Sequence, residues 1–379
     1  MVRIVPLLLA AACAPGERDA AAVYVAGETH TIAWEAPEAT ADLELVSPTG
    51  AATPLAQGVT ASGKLDWTVP LEVEAGRGYS LRFADRDGTP VQQAVTLGAL
   101  IGFRWNGAQE ELLRLDPVTG NTLLLGLVGD LERWNVEVAL DRTAALTHIW
   151  GVDAAGQEKI YTMDMFSGAF LGDVAVHGTS EGWQVNSQGD LLGLRWNGAV
   201  EELVSLDPAT GLSTPIGVVG DLAVWSAETA IDATTDTLYV VGADASDAWS
   251  LYVMDALSGA LVDKLPLAEP VGGLQWSPST QQLYACRWDG AAEQLVTLDP
   301  ATGATAAIGL VGGLQSSSAQ TGYLQTWSAQ TVLDDVNATL YVFGHDGVTD
   351  KLYAMDLTTG ALRYETALSQ PLLAPRLVY

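Results

Sequence analysis

Apolar and polar residues alternate along most of the chain in short runs, which are separated by turns that contain glycine. The alternation has a period of two and places Val, Leu, Thr, Tyr and Trp on one side of each run, which is typical of half-buried β-strands. Segments with the period of an amphipathic helix are scarce. The pattern therefore predicts an all-β protein.

One stretch of this pattern occurs three times. Its first copy reads FRWNGAQEELLRLDPVTG, and the tryptophan of that copy returns after 91 residues and again after a further 92. Tandem copies of a unit this long indicate a repeat architecture built from one supersecondary motif. The copies are Phe103–Gly120, Leu194–Gly211 and Cys286–Gly303, and their tryptophans are Trp105, Trp196 and Trp288.

Three further hairpins lie between or after these copies, and all six end in the same turn, Asp-x-x-[Thr/Ser]-Gly. The Asp carboxylate can accept the amides of the turn, and Gly can adopt the positive φ that closes it. One aspartate in each turn favours this structural role over calcium binding. The six aspartates are Asp116, Asp164, Asp207, Asp255, Asp299 and Asp356.

Each turn joins two strands, and each pair of strands is preceded by two more, which predicts a β-propeller with four strands in each blade. The first unit lacks its innermost strand, whereas Leu372–Tyr379 is a strand without a unit. We therefore expect a six-bladed β-propeller over residues 98–379 that closes when the C-terminal strand pairs beside Ala99–Trp105. The repeats LYVMDALSGALVD and LYAMDLTTGALRYE resemble those of the quinoprotein-like and YVTN-type propellers.

Residues 23–97 lie outside the long repeat and contain six or seven short strands, which predicts a small immunoglobulin-like β-sandwich. Gly27 precedes the Ile-Ala-Trp run at Ile32–Trp34, and the segments Leu65–Pro70 and Gly76–Arg82 follow. In this order of landmarks the segment resembles the immunoglobulin-like module of microbial cell-surface proteins that is similar to yeast cell-wall Kre9/Knh1 domains. The resemblance implies a spacer or adhesive unit without catalytic residues.

The pattern of charged, apolar and small residues in the segment 1–22 predicts an export signal followed by a tether. Arg3 supplies a positive charge and Ile4–Ala12 is an apolar run too short to span a bilayer. Ala10-Ala11-Ala12-Cys13 resembles the lipobox of bacterial lipoproteins, in which the signal is cut before a cysteine that becomes lipidated. The resemblance implies a protein held by Cys13 at the bacterial outer membrane or cell surface. The alternatives are a plain secretory signal and a misplaced start codon.

Composition excludes several classes of function. The formal net charge of the 379 residues is −29, and such a surface repels the phosphates of nucleic acids. Cys286 stands where the other copies have Phe103 and Leu194, so we expect a buried apolar side chain there. No paired histidines, Gly-x-Ser-x-Gly elbow or phosphate-binding loop is present. We therefore expect no catalytic residue, no metal and no cofactor.

The strand order assigns the RWxG turns and the connections between blades to one face, which also holds Asp130, Asp221 and the insert Gly313–Tyr323. Trp and Arg side chains commonly stack on sugar rings or anchor protein partners. The same tryptophans could instead pack between blades, so both roles stay open. The candidate ligand-binding residues are Arg104, Trp105, Asn106, Arg195, Trp196, Asn197, Arg287, Trp288 and Asp289.

Glu137, Glu228 and Gln330 occupy matching positions and are expected to line the channel of the ring, where they would hold a cation or water. The sequence favours a monomeric, surface-anchored and non-catalytic lipoprotein that presents a propeller face to a glycan or a protein. One alternative is a six-bladed hydrolase or lyase in which channel carboxylates act as acid and base. Another is a purely structural component of the cell envelope.

Overall fold

The fold comes from a computed structural model, in which the described part of the chain consists of strands, turns and loops without a helix. This confirms the predicted all-β class. The chain divides into two compact units, namely Met1–Leu100 with Arg114–Leu123 and Leu377–Tyr379, and Ile101–Leu113 with Leu124–Arg376. The structure describes residues 3–6, 22–35, 41–59, 62–85, 91–178, 180–223, 228–314 and 330–379.

The first eight strands are β1 (Arg3–Pro6), β2 (Ala22–Val25), β3 (Thr29–Glu35), β4 (Ala41–Val46), β5 (Ala52–Val59), β6 (Ser62–Thr68), β7 (Gly76–Asp85) and β8 (Val91–Trp105). One sheet has the order β1-β3-β6, and a second contains β5, β4, β7 and β8, with β2 parallel to β8. The rings of Trp34 on β3 and Phe83 on β7 lie with centroids 5.6 Å apart. The two sheets therefore contact each other through aromatic side chains.

Part of the predicted signal segment forms a strand. Arg3–Pro6 pairs antiparallel with β3, with Ile4 opposite Trp34. These four residues therefore pair along the edge of β3, and the export signal and tether at residues 1–22 stay a prediction. Cys13 lies outside the described residues.

The strands that follow are β9 (Glu110–Leu115), β10 (Thr122–Leu127), β11 (Leu131–Asp141), β12 (Leu146–Asp153), β13 (Glu158–Asp164), β14 (Phe170–Ala175), β15 (Glu181–Val185), β16 (Leu191–Trp196), β17 (Glu201–Leu206), β18 (Ser213–Val218), β19 (Glu228–Asp232), β20 (Thr237–Ala243), β21 (Trp249–Asp255), β22 (Leu261–Pro266), β23 (Gly272–Ser277), β24 (Gln282–Trp288), β25 (Glu293–Leu298), β26 (Thr305–Leu310), β27 (Gln330–Asp334), β28 (Thr339–His345), β29 (Asp350–Asp356), β30 (Leu362–Ala367) and β31 (Leu373–Val378). Strands β11 to β30 form five four-stranded sheets in sequence order. We name them blade A (β11–β14), blade B (β15–β18), blade C (β19–β22), blade D (β23–β26) and blade E (β27–β30).

The arrangement is propeller-like, because the first strands of successive blades contact one another in the order β11, β15, β19, β23 and β27. The prediction of six separate blades is not met, since the described residues form five. Strand β8 is 15 residues long and pairs with β7 and β2 as well as with β9, so β8–β10 belong to an eight-stranded sheet. The C-terminal strand β31 pairs with β8, as the sequence predicted.

Apolar side chains fill the space between neighbouring blades. Leu203 of blade B packs in one buried cluster with Val240 and Tyr252 of blade C. The backbones also approach closely, because a Cβ on Gly259, the glycine of the turn that begins at Asp255, would overlap the carbonyl of Ile216 on β18 of the preceding blade. Glycine at this place in the Asp-x-x-[Thr/Ser]-Gly turn therefore serves packing between blades as well as turn geometry.

The aspartates of these turns have the local role that the sequence predicted. Asp356 Oδ1 accepts the amides of Thr358 at 2.9 Å and Thr359 at 2.8 Å, and the other five accept turn amides in the same way. These hydrogen bonds hold the carboxylates in the turns.

Candidate functional site

The RWxG hairpins are braced by their own charged side chains. Arg104 Nη2 lies 2.7 Å from Glu111 Oε2, and Asn106 Nδ2 donates to Glu111 Oε1 at 2.9 Å. Asn106 Oδ1 also accepts the amides of Ala108 and Gln109, which closes the turn. These hydrogen bonds lower the pKa of the Glu111 carboxyl, that from Asn106 most. The Arg and Asn side chains of this predicted site are thus engaged within the hairpin.

The second hairpin repeats the arrangement. Arg195 Nη2 lies 3.1 Å from Glu202 Oε2, and Asn197 Nδ2 donates to Glu202 Oε1 at 2.6 Å. Arg195 Nη1 also donates to Ser213 on the outer strand at 2.6 Å. The guanidinium therefore ties three strands of blade B together.

The third hairpin reaches the same geometry with the hydrogen-bond polarity reversed. Asp289 replaces the asparagine and Gln294 replaces the glutamate, so Gln294 Nε2 now donates to Asp289 Oδ2 at 2.7 Å. Gln294 Oε1 accepts from Arg287 Nη2 at 3.0 Å. The two exchanges compensate each other, so the brace rather than either residue type is what the three hairpins share.

The tryptophans of the motif differ in exposure, while Asn106, Asn197 and Asp289 are exposed as well as braced. Trp196 is 39% exposed, whereas Trp105 and Trp288 are half-buried. Each sits at the end of a strand, next to the braced turn. The structure thus assigns the brace to Arg, Asn and Asp and places the tryptophans beside it, with Trp196 the most exposed of the three.

The sequence analysis did not identify three buried glutamates, each of which begins the strand that follows an RWxG turn. Glu201 lies directly opposite Trp196, and Glu293 lies opposite Trp288. Residues opposite each other in an antiparallel pair project on the same face, so each carboxyl lies beside a tryptophan. Burial raises the pKa of each of them to about 7, and a neighbouring acid adds to the effect. The three are Glu110, Glu201 and Glu293, with exposures of 5%, 7% and 7%.

Only the repetition of Glu-[Glu/Gln] after each RWxG turn could have indicated them. Glu110 Oε1 and Glu293 Oε2 have no hydrogen-bond partner among the described residues. A buried carboxylate without a partner is costly, which favours the protonated form.

The face predicted from strand order also holds clustered charges. Lys159 Nζ lies 2.8 Å from Asp130 in the connection before blade A and 3.2 Å from Asp153, the last residue of β12 before the turn to β13. Lys264 of blade C bridges Asp221 in the connection before that blade and Asp244 in the turn between β20 and β21 in the same way. The connections and the second-to-third turns are therefore on one face, as predicted. Residues 315–323 of the predicted insert lie outside the described residues.

The residues predicted to line the channel stand at matching places on the first strands of alternate blades. Glu137 lies on β11, Glu228 begins β19 and Gln330 begins β27, and all three are half-buried. Burial raises the pKa of the Glu137 carboxyl, whereas Arg376 and the N–H groups of Trp183 and Gly182 lower it. Glu137 is thus bonded to the first strand of the next blade, and Arg376 is the cation beside it.

Sequence reasoning also missed Arg376. Arg376 Nη2 donates to the carbonyl of Val138 on β11 at 2.7 Å. Gln184 and Gln275 form the corresponding links from blade B to blade C and from blade D to blade E, each to a backbone carbonyl at 3.2 Å. An alignment of the segments GWQVN, GLQWS and APRLV could have indicated this role, because Gln184, Gln275 and Arg376 occupy the same position in them.

Other candidate chemistry is limited. The Cys286 thiol is buried and its pKa is raised by that burial, which fits the predicted apolar role. The described residues hold no group of three or more His, Cys, Asp or Glu placed to bind a metal ion. They also include no helix with the length and apolar character needed to cross a bilayer. One open pocket of about 430 Å³ adjoins Trp249 and Lys264 on blade C.

A family model described as a Kre9/KNH-like N-terminal Ig-like domain matches residues 18–96. This confirms the resemblance for that segment. No curated protein matches the sequence.

Solved structures resemble the chain in fold. TolB from Acinetobacter baumannii has a TM-score of 0.58 at 11% identity, over 81% of each chain. A chain of a nidogen/laminin complex has a TM-score of 0.51 at 13% identity, over 74% of this chain and 98% of its own. The periplasmic gluconolactonase PpgL of Pseudomonas aeruginosa has a TM-score of 0.47 at 11% identity, over 74% of this chain and 99% of its own. The first two likenesses show a β-propeller-like fold and nothing about activity, and the third is too weak for an inference.

Proposed function

We propose that the protein is a non-catalytic binding protein that presents the tryptophan-bearing face of its propeller to a glycan or a protein partner. The observation that carries the proposal is that the polar side chains of the RWxG hairpins bond to one another, while the tryptophan beside them takes no part in these bonds. Arg195 and Asn197 are engaged in the brace, while Trp196 beside them stays 39% exposed. An aromatic side chain held on a rigid turn binds with little loss of conformational entropy.

The repetition of the hairpin strengthens the proposal. Three tryptophans at equivalent positions offer three similar contact points on alternate units of the ring, and a polymer or a broad partner surface could engage them together. The acidic composition fits a ligand that is neutral or positively charged.

The experiment uses the full chain with Cys13→Ser as a soluble protein, tested on a glycan and protein array. Trp196→Ala should weaken binding of the array hit by about 2 kcal/mol or more, as expected for an aromatic hot spot, and should leave the melting temperature nearly unchanged. Trp105→Ala and Trp288→Ala should act in the same direction. Leu203→Ala, a core truncation in blade B, should lower the melting temperature instead.

A large loss of stability in all three tryptophan variants with unchanged affinity would show that the tryptophans serve packing. The same array also tests the alternative function, an enzyme that uses channel carboxylates. One observation favours that alternative, namely that burial raises the pKa of Glu137 beside Arg376. The binding proposal expects the bound ligand to be recovered intact, as checked by mass spectrometry.

We also infer that β31, β8, β9 and β10 act together as a sixth blade and close the ring. The support is Arg376 on β31, which donates to Val138 as Gln184 and Gln275 donate to their next blades. A side chain with the same inter-blade role at the same strand position is expected if β31 is the first strand of a blade.

For the cellular address we propose export and lipid attachment through Cys13, with the Kre9/KNH-like segment as a spacer. Cys13→Ser should move the protein from the membrane fraction to the soluble fraction, because serine lacks the thiol to which the lipid would be attached. The several acyl chains of a bacterial lipoprotein anchor far more firmly than one, so the loss should be clear. Ala12→Ser, which keeps the cysteine, is the matched control. Membrane attachment that survives Cys13→Ser would overturn the proposal.

A further inference from the structure

Three connections between strands of neighbouring sheets share one sequence pattern, and they lie on the face that holds Asp130 and Asp221. Each consists of a valine, a glycine, a third residue and a leucine, and the third residue is aspartate in two connections and glycine in one. Each precedes a blade whose third strand carries a buried tyrosine: Tyr161 in blade A, Tyr252 in blade C and Tyr353 in blade E. The connections are Val128–Leu131, Val219–Leu222 and Val311–Leu314.

In the first two connections an aspartate completes the environment. Tyr161 Oη donates to Asp130 Oδ1 at 3.0 Å, and Tyr252 Oη donates to Asp221 Oδ1 at 3.0 Å. A lysine ammonium lies on the same carboxylate, at 2.8 Å for Lys159 and 2.7 Å for Lys264. These bonds lower the pKa of both carboxyls, so each is held as an anion.

In the third connection the aspartate is replaced by Gly313, and the carboxylate is missing. Tyr353 is fully buried, and its hydroxyl has no hydrogen-bond partner within the part of the chain that the structure describes. A Cβ built on Gly313 would meet no atom within 4 Å, so the path that Asp130 takes from the backbone is open here.

The lysine of this environment is retained. Lys351 Nζ lies 3.0 Å from Asp346 and 2.9 Å from Glu365, whereas Lys159 contacts three carboxylates. An ammonium has three donors, so Lys351 has room for one more carboxylate. The segment 315–329, which follows Gly313 and is not described, contains no Asp or Glu.

We propose that the space beside Gly313 is a binding site for a carboxylate that a ligand brings, with Tyr353 Oη and Lys351 Nζ as donors. The chain supplies this carboxylate itself in the other two connections, and the geometry there is the template for the third. A buried hydroxyl without a partner is unfavourable, so occupation of the site relieves a cost that is already present.

The experiment measures the thermal midpoint of the full chain with Cys13→Ser in sodium acetate, with sodium chloride at equal ionic strength as reference. Acetate should raise the midpoint of this protein, because a ligand that binds the folded state stabilises it. Tyr353→Phe should weaken acetate binding about tenfold or more, the usual effect of losing a hydrogen bond to a charged group. Tyr252→Phe is the matched control and should leave the acetate response unchanged, since Asp221 already fills that place.

Gly313→Asp is the second variant and supplies the carboxylate in the chain. It should raise the midpoint without acetate and abolish the acetate response. Glucuronate and a short peptide with a free C-terminus, compared with glucose and the amidated peptide, then distinguish a sugar acid from a peptide end. An acetate response that is absent, or that persists in both Tyr353→Phe and Gly313→Asp, would overturn the proposal.

Discussion

The three buried glutamates show how a repeat can carry titratable groups into its interior. Glu110, Glu201 and Glu293 each begin a strand next to a residue that serves the brace. Burial raises their pKa to about 7, while hydrogen bonds lower the pKa of Glu111 and Glu202 beside them. Adjacent acids thus differ in protonation because one faces the core and the other faces Arg and Asn.

We predict that the protein is less stable at pH 8 than at pH 5. In the unfolded chain these carboxyls ionise near the ordinary glutamate pKa of 4.5, and in the folded chain near 7. Between these values the unfolded state releases protons first, so stability falls as pH rises, by up to about 3 kcal/mol for each group. The measurement is denaturant unfolding at several pH values and constant ionic strength.

Glu201→Gln separates this effect from the general repulsion of an acidic surface. The variant should match the original protein at pH 5 and exceed its stability at pH 8. Glu202→Gln makes the same chemical change one residue away and should lower stability at pH 8, because it removes an ion pair with Arg195. Equal pH profiles for the original protein and Glu201→Gln would contradict the assignment.

For single residues of the RWxG hairpins, the sequence predicted where they lie better than it predicted what each side chain does. It located the Arg, Asn and Trp of the first two hairpins as one surface group, yet the structure shows that the Arg and Asn side chains bond to a glutamate within the hairpin. The interior place of Glu201 depends on the face of β17 on which it falls, and that face packs against blade C through Leu203. A polar residue at the end of a strand carries no sequence signal for burial by a neighbouring blade.

At the scale of the element, the braced hairpin is the unit that the repeat preserves. Its third copy exchanges Asn for Asp and Glu for Gln and keeps the bond between them, at 2.7 Å for Gln294 and 2.6 Å for Asn197. Two carboxylates at that distance would repel each other, so an aspartate at this position is favourable only beside the glutamine. The hairpin thus contains a natural double substitution.

This pair predicts a strong coupling in blade B. Asn197→Asp alone should lower stability by about 1–2 kcal/mol at pH 8, because the new carboxylate faces Glu202. Adding Glu202→Gln should restore most of the loss, since the amide can then donate as Gln294 does. The coupling energy, measured by a double-mutant cycle in denaturant, should exceed about 1 kcal/mol in magnitude.

Independent effects of the two substitutions would show that the hydrogen bond contributes little to the hairpin. The pair Leu212→Ala with Glu202→Gln provides a control cycle, because Leu212 is exposed in the following turn. That cycle should show additive changes.

For the whole molecule, the repeat predicted the architecture because each unit buries its apolar faces against the next. The same logic led to the expectation of six separate blades, whereas β8 pairs with β7 as well as with β9 and β31 along one strand of 15 residues. Strand length beyond the repeat is not encoded in the repeat itself. Pairing of β31 with β8 could be predicted, since the first unit lacked a strand and the C-terminus had one to spare.

The last prediction concerns the closure by β31. This strand contributes Leu377 and Val378, which are 2% and 1% exposed, and Arg376, which donates to Val138. Deleting residues 371–379 should therefore lower the free energy of unfolding by more than the roughly 0.5–3 kcal/mol of a point change, and it should expose a strand edge that promotes association. Calorimetry and sedimentation measure the two effects.

Arg376→Gln tests the same closure without removing a strand. Glutamine performs this inter-blade role at Gln184 and Gln275, so Arg376→Gln should retain more stability than Arg376→Ala. The shorter alanine leaves the Val138 carbonyl without its donor, which costs about 1–3 kcal/mol for a buried group. A truncated chain that stays monomeric with an unchanged melting temperature would show that the second unit holds together without β31. Equal stability of the two Arg376 variants would show that the guanidinium acts through its charge beside Glu137 rather than as a link between strands.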